Sequence, residues 1–210
     1  MADPVSPAEA EEPVGVGPHP LPWPDEARLD PVLLAEGDRR NVVDRFRYWR
    51  VDAIVEELDR HRHPFHVAVE NWRHDPNIGS VVRTANAFLA AEVHIVGRRR
   101  WNRRGAMVTD RYQHVRHHAD LDALGAWATG AGLPVVGVDN LPGARPLEDG
   151  GLPAECVLLF GQEGPGLSPA ARDLAGDVRS IAQFGSTRSI NAAVAAGIAM
   201  HAWVREHARP

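Results

Sequence analysis

Short apolar runs alternate along this chain with stretches in which apolar residues recur at helical spacing. Residues 65–69 (FHVAV) and 93–96 (VHIV) are brief and rich in β-branched side chains, which predicts strands buried on both faces. Between them Val81, Val82, Ala85 and Leu89 fall on one helical stripe. Asp75-Pro76-Asn77 supplies the start of that helix, a side-chain cap and a proline where no amide bond is lost. Gly79 leaves room for another backbone to come close. The alternation then repeats. A short helix over 119–131 closes at Gly130 and Gly132, and a strand follows over 134–138. After the turn-rich loop DNLPGARPL comes a strand over 156–160, then a helix opened by Ser168-Pro169. A strand over 178–182 and a long helix of small residues over 191–207 complete the pattern. Strand–helix alternation of this kind predicts an α/β fold with a mostly parallel sheet flanked by helices. Asn77 and Arg83 then sit in the first turns of a helix at the carboxyl end of a strand, where open α/β sheets bind ligands.

The amino-terminal part reads differently. Residues 1–30 are rich in Pro, Ala, Glu and Gly without periodicity and are expected to be a disordered tail. Residues 31–62 carry Val42, Val43, Phe46, Trp49, Val51, Ile54, Val55 and Leu58 at helical spacing, which predicts a helical extension. Its segment RFRYWR (45–50) interleaves arginine and aromatic residues. Such a segment can face RNA by stacking and phosphate contact; we favour aromatics packed on the domain with snorkelling arginines. The sheet domain is expected over 63–210.

Charge changes this picture little. The net charge is −5, and seven acids against Arg28 place −6 of it in residues 1–30, leaving +1 for the rest. All 23 basic residues are arginine, whose planar fork suits phosphate. The single cysteine, Cys156, excludes a disulfide framework and fits a reducing compartment. No apolar run approaches membrane-spanning length, and the acidic, proline-rich start is unlike a signal peptide, so a cytoplasmic protein is expected.

Candidate chemistry lies in three places. Residues 98–118 hold seven arginines against Asp110, with Trp101 and Tyr112 among them. So basic a loop after a strand's carboxyl end is a candidate phosphate-tracking surface, with Arg98, Arg99, Arg100, Arg103 and Arg104 as the RNA contacts. Histidines 114, 117 and 118, like 61, 63 and 66, match no common zinc spacing, and no metal site is expected. GQEGPG (161–166) is neither a dinucleotide loop, since Pro165 interrupts the spacing, nor a phosphate-binding P-loop, since no Lys-Ser/Thr pair follows. It signals a tight turn close to a ligand.

Taken together, Asn77-x5-Arg83, FGQEGPGL (160–167) and IAQFGSTRSIN (181–191) occur in that order at strand ends. In this arrangement they resemble the three motifs of the SpoU/TrmH branch of the SPOUT RNA methyltransferases, over roughly residues 63–207. The resemblance implies a carboxyl-terminal deep trefoil knot, a homodimer with the active site at the subunit interface, and S-adenosyl-L-methionine as cofactor. It implies transfer of the cofactor's methyl group to a ribose 2′-hydroxyl of tRNA or rRNA.

The same resemblance implies residue roles. Arg83 falls at the motif-one arginine; because an arginine proton is almost never lost, it is expected to stabilise the forming alkoxide rather than act as base. Asn77 would orient Arg83 or the ribose. Glu163, at the motif-two acid, would tether an arginine or shape the cofactor loop. Asn191, with Ser189, would hydrogen-bond cofactor or ribose, the plain alternative for Asn191 being the cap of the last helix. The adenosine would lie among Val138, Asp139, Asn140, Gly161, Ile181, Ser189 and Ile190. Motif three usually begins Ile-Pro-Met, whereas this chain has Ile181-Ala182-Gln183. The competing readings are a non-catalytic RNA-binding module on the same scaffold, or a base methyltransferase of the same fold.

Overall fold

The computed structural model describes residues 15–71 and 77–208. Asp75 and Pro76, read above as helix-start residues, lie outside them, as do residues 1–14 of the expected tail. The chain divides into two compact units, one ending at Glu57 and one beginning at Leu58, rather than after residue 62.

The first unit corrects two expectations. The helix expected over 31–62 is broken into α1 (Pro31–Glu36), a 3₁₀ turn at Asp44–Phe46, and α2 (Val51–Asp59), which runs across the boundary. Helix α1 ends because Gly37 takes φ +92°. Beyond it, the fully buried Asp38 accepts hydrogen bonds from Arg40 Nε (2.8 Å), Arg40 N (3.0 Å) and Tyr48 N (3.0 Å). Burial alone would raise its pKa, but these donors hold it down at about 2. Residues 15–30, expected to be disordered, are held as well. Val16 bridges Asp38, Leu29 bridges Trp49, and His19 N–H donates to the Leu34 carbonyl. Arg47 donates to the Arg40 carbonyl (2.6 Å) and Phe46 is buried, so packing accounts for these two members of RFRYWR.

The second unit is built on β1 (Phe65–Asn71), followed by α3 (Ile78–Ala87) and β2 (Val93–Gly97). β3 (Val115–His118), α4 (Leu121–Gly130), β4 (Val135–Val138) and β5 (Arg145–Pro146) come next. β6 (Cys156–Phe160), α5 (Pro169–Leu174), β7 (Asp177–Ser180) and α6 (Ala192–His207) complete it. Every strand pairing is parallel, in the order β3-β2-β1-β6-β4-β7-β5. The period of two decides the core. Val67, Val69, Ile95, Leu158 and Phe160 pack one face against Val81, Val82 and Ala85 of α3 and Ala196, Met200 and Trp203 of α6. Ala68, Val96, Val157 and Leu159 pack the other against Leu121, Leu124 and Ala128 of α4 and Ala171 of α5.

Two strands escaped the sequence reading. β3 has no apolar alternation because it is an edge strand (VRHH), and β5 is only two residues long. β3 brings His118 into a ladder: His66 Nδ1 lies 3.0 Å from His94 Nε2, and His94 Nδ1 lies 2.9 Å from His118 Nε2. Trp127 of α4 packs on all three rings. Burial, then the neighbouring His66, His118 and Arg116, push His94 down to about 2, so it is neutral at ordinary pH. No helix among the described residues is long and apolar enough to cross a membrane.

Candidate active site

All the parallel strands end at the same side, so Asn77, at the start of α3, and the segments leaving β4, β6 and β7 meet there. Asn77 stands at the amino end of α3 but makes no side-chain cap bond. Its amide instead donates from Nδ2 to Glu163 Oε2 (3.0 Å) and accepts at Oδ1 from Asn191 Nδ2 (2.9 Å). Asn191 uses both ends of its side chain. Oδ1 caps α6 by accepting from Ala193 N (3.0 Å) and Val194 N (3.2 Å), while Nδ2 reaches Asn77 and Glu163. The capping and the functional roles considered for Asn191 are therefore compatible. Glu163 also accepts from the Ala192 N–H at 2.9 Å, where the positive end of α6 favours a carboxylate.

This cluster borders a cavity of about 270 Å³. Val138, Asp139, Asn140, Gly161, Ile181, Ser189 and Ile190, all expected around the adenosine, line it, as do Glu163, Arg172 and Arg188. The turn over 161–167 closes on itself through Gln162 N to Gly166 O (3.2 Å) and Gly166 N to Gln162 O (3.0 Å). Leu167 N donates to Asp139 Oδ2 (2.9 Å), tying the turn to the end of β4. Gly161 is needed there, since a Cβ would strike the backbone of Gly166 and Leu167.

Two side-chain oxygens at this cavity, Gln162 Oε1 and Gln183 Oε1, are buried without a hydrogen-bond partner. Buried acceptors left unmet are costly, on the order of 1–3 kcal/mol each. A ligand rich in N–H and O–H donors, with one apolar flat part, fits such a lining: aliphatic Val138, Leu141, Ile181 and Ile190 together with charged Asp139, Arg172 and Arg188. S-adenosyl-L-methionine has that composition.

Arg83 is the exception among the expected site residues. It is exposed on α3, does not line the cavity, and has no hydrogen-bond or ion-pair partner among the described residues. The structure brings together Asn77, Glu163, Ser189 and Asn191 but not Arg83. Helix α3 is itself pinned by the approach of Gly79 to residues 102–106, where a Cβ would lie 2.7 Å from Ala106 N.

Arg98, Arg99, Arg100, Arg103 and Arg104 are all exposed. Asn71, buried at the end of β1, fixes the base of their loop by donating to the carbonyls of Arg98 (2.7 Å) and Arg100 (2.9 Å). Arg103 pairs with Asp110 (3.4 Å) and stacks over Trp101. Arg99, Trp101, Arg103, Arg116 and His117 line a second cavity of about 440 Å³. Arg116 and His117, already part of the basic stretch over 98–118, reach this cavity from strand β3 rather than from a loop. Sequence spacing could not show that His66, Glu92 and His94 place ligand-capable atoms within 4.8 Å of one another. There His66 bonds His94, and Arg116 Nε bonds Glu92 (2.9 Å), so these atoms are already partnered.

Known proteins resemble this chain in sequence and in fold. An uncharacterized tRNA/rRNA methyltransferase of Mycolicibacterium vanbaalenii is 33% identical over 174 residues, covering 75% of this chain and 52% of that protein. The chain spans about half the length of the curated relatives it matches. An AdoMet-bound rRNA methyltransferase structure from Sinorhizobium meliloti superposes with TM-score 0.62 at 28% identity, covering 71% of this chain and 60% of that one. A structure described as giving insights into 2-OH methylation of C/U34 on tRNA superposes with TM-score 0.58 at 27% identity, covering 69% and 96%. The SpoU rRNA Methylase family model matches residues 64–201, a span that holds β1, the cavity and the Asn77–Glu163–Asn191 cluster, and the chain belongs to that family.

Proposed function

We propose that this chain is an S-adenosyl-L-methionine-dependent methyltransferase acting on a ribose 2′-hydroxyl of tRNA or rRNA. The observation that carries the reading is the meeting of Asn77, Glu163 and Asn191, from three separated segments, beside a cavity lined by the ends of β4, β6 and β7. The cofactor, when bound there, supplies a methyl group already activated on a sulfonium. What remains for the protein is alignment of the two reactants and stabilisation of charge on the attacking oxygen. Glu163 holds the α3 and α6 ends against the 161–167 turn, fixing the wall against which the ribose is set. Ser189, which lines the cavity, would hydrogen-bond a ribose or cofactor hydroxyl, and Asn191 would hold Asn77 and Glu163 in place beside it.

In this reading Arg83 acts as a fixed positive charge beside the oxygen, and the proton leaves to water or a phosphate oxygen. Its exposure on α3, away from its own cavity, supports a homodimer in which one protomer's Arg83 completes its partner's site. The exposed Val194 and Ile198 of α6 are the apolar surface such a contact would cover. The carboxyl-terminal part is proposed to be threaded as a trefoil knot, and the protein to work in the cytoplasm. The arginines of 98–104 would hold the RNA phosphates. The high coverage of the C/U34 tRNA methylation structure by this chain supports a tRNA substrate over rRNA.

The test is incubation of the protein with methyl-labelled cofactor and total RNA, followed by mass spectrometry of the nucleosides. A labelled 2′-O-methylnucleoside is expected. Label on a base would replace the ribose assignment with base methylation, and no label with intact RNA binding would leave the non-catalytic module.

A further inference from the structure

Where the family pattern has Pro-Met, this chain has Ala182-Gln183, and both changes leave physical traces. Alanine brings an amide N–H that proline lacks, and that N–H donates to Glu148 Oε1 at 3.1 Å. The preceding Ile181 N–H donates to Asn140 Oδ1 at 3.2 Å. The segment leaving β7 is thus tied by two side-chain acceptors, one just after β4 and one just after β5, which stand in for the stiffness of a proline ring. Gln183 follows directly, lines the cavity, and buries its Oε1 without a partner. A methionine here would leave no such acceptor.

Ile181, two residues before Gln183, is tied to Asn140, and Val138, Leu141, Ile181 and Ile190 of the same cavity lining supply aliphatic surface suited to a flat heteroaromatic ring. The groups suited to an amino-acid zwitterion are the charged ones, Glu163, Arg172 and Arg188. We propose that Gln183 is a specificity-determining residue whose side-chain carbonyl accepts a hydrogen bond from the exocyclic amine of the cofactor's adenine. The proposal rests on the cofactor reading above and adds to it a residue that sets base specificity.

The experiment is calorimetric titration of the full chain with S-adenosylhomocysteine and with S-inosylhomocysteine, in which a carbonyl replaces the amine. The unaltered chain should prefer the adenosyl compound by about tenfold or more, the scale of one buried hydrogen bond left unmade. Gln183→Met should lose about tenfold in adenosyl affinity and bring the ratio near one. Gln183→Glu, which keeps an acceptor at that position, should retain the preference, and matching thermal midpoints show that all three chains are folded. A ratio unchanged in Gln183→Met, or lost in Gln183→Glu, overturns this proposal alone. Failure of the unaltered chain to bind S-adenosylhomocysteine overturns the cofactor reading and this proposal with it.

Discussion

Gly79→Ala tests how tightly α3 must be held for the site to work. A Cβ at this position would lie 2.7 Å from Ala106 N, 2.7 Å from Asn102 O and 2.9 Å from Gly105 Cα. All three are backbone atoms, so no side chain can swing aside. Reaching an ordinary contact at 3.4 Å requires α3 and residues 102–106 to part by about 0.7 Å, the difference between 3.4 and 2.7 Å. Overpacking of this kind costs about 1–3 kcal/mol, and the better helix propensity of alanine returns up to about 1 kcal/mol. The expected net loss is about 0–2 kcal/mol, measured by urea denaturation. The functional effect should be larger than the stability effect. Asn77, two residues before Gly79, contacts Glu163 at 3.0 Å, and a shift of this size misaligns the cluster, for which about 10–100-fold in kcat is expected. No residue of α3 lines the cavity, so affinity for S-adenosylhomocysteine should change less than threefold. Gly130→Ala on α4 is the control, because a Cβ there meets nothing within 4 Å, and it should be neutral or gain about 0.5–1 kcal/mol. Parental kcat and stability in Gly79→Ala would refute the idea that this approach positions α3.

Arg83→Ala should abolish methylation while leaving S-adenosylhomocysteine affinity within about threefold; retained turnover would remove Arg83 from the chemistry. Mixing Arg83→Ala with a cofactor-pocket variant such as Gly161→Ala should restore partial activity if sites are shared between protomers, and none if each chain is self-sufficient. Replacing Arg98, Arg99, Arg100, Arg103 and Arg104 by Gln should weaken RNA binding and flatten the plot of log affinity against log salt by about 0.7–0.9 for each phosphate left without a counter-charge; an unchanged slope assigns the loop to solvent. The His66–His94–His118 ladder should make the fold acid-sensitive. His94 is held at about 2 when folded against 6.5 when free, so its contribution is complete above pH 6.5 and falls as pH drops toward 2. At pH 5 the loss relative to pH 7.5 is about 2 kcal/mol, and denaturation curves of His94→Gln should lack most of that pH dependence.

What could be read from the sequence was whatever a single segment states by itself. The strands over 65–69, 93–96 and 156–160 announce themselves by apolar runs, and the parallel sheet follows from their alternation with helices. The expected adenosine-side residues come from the resemblance of three loops taken together to the family's motifs, not from any single segment. Features made jointly by distant segments were not legible. β3 is a strand only because β2 offers it an edge, so VRHH looks like loop when read alone. The acceptor for the Ala182 N–H is Glu148, 34 residues earlier, and nothing in the spacing marks that pair. The break after α1 was missed because Asp38 becomes a hub only once Arg40 and Tyr48 fold back on it.

The divided use of the Asn191 side chain has a consequence for assembly. One amide group both begins α6 and fastens Asn77 to Glu163, so a chain caught before that helix docks has neither an anchored terminus nor a finished Asn77–Glu163–Asn191 cluster. Folding of the domain and completion of that cluster should then be a single event in time.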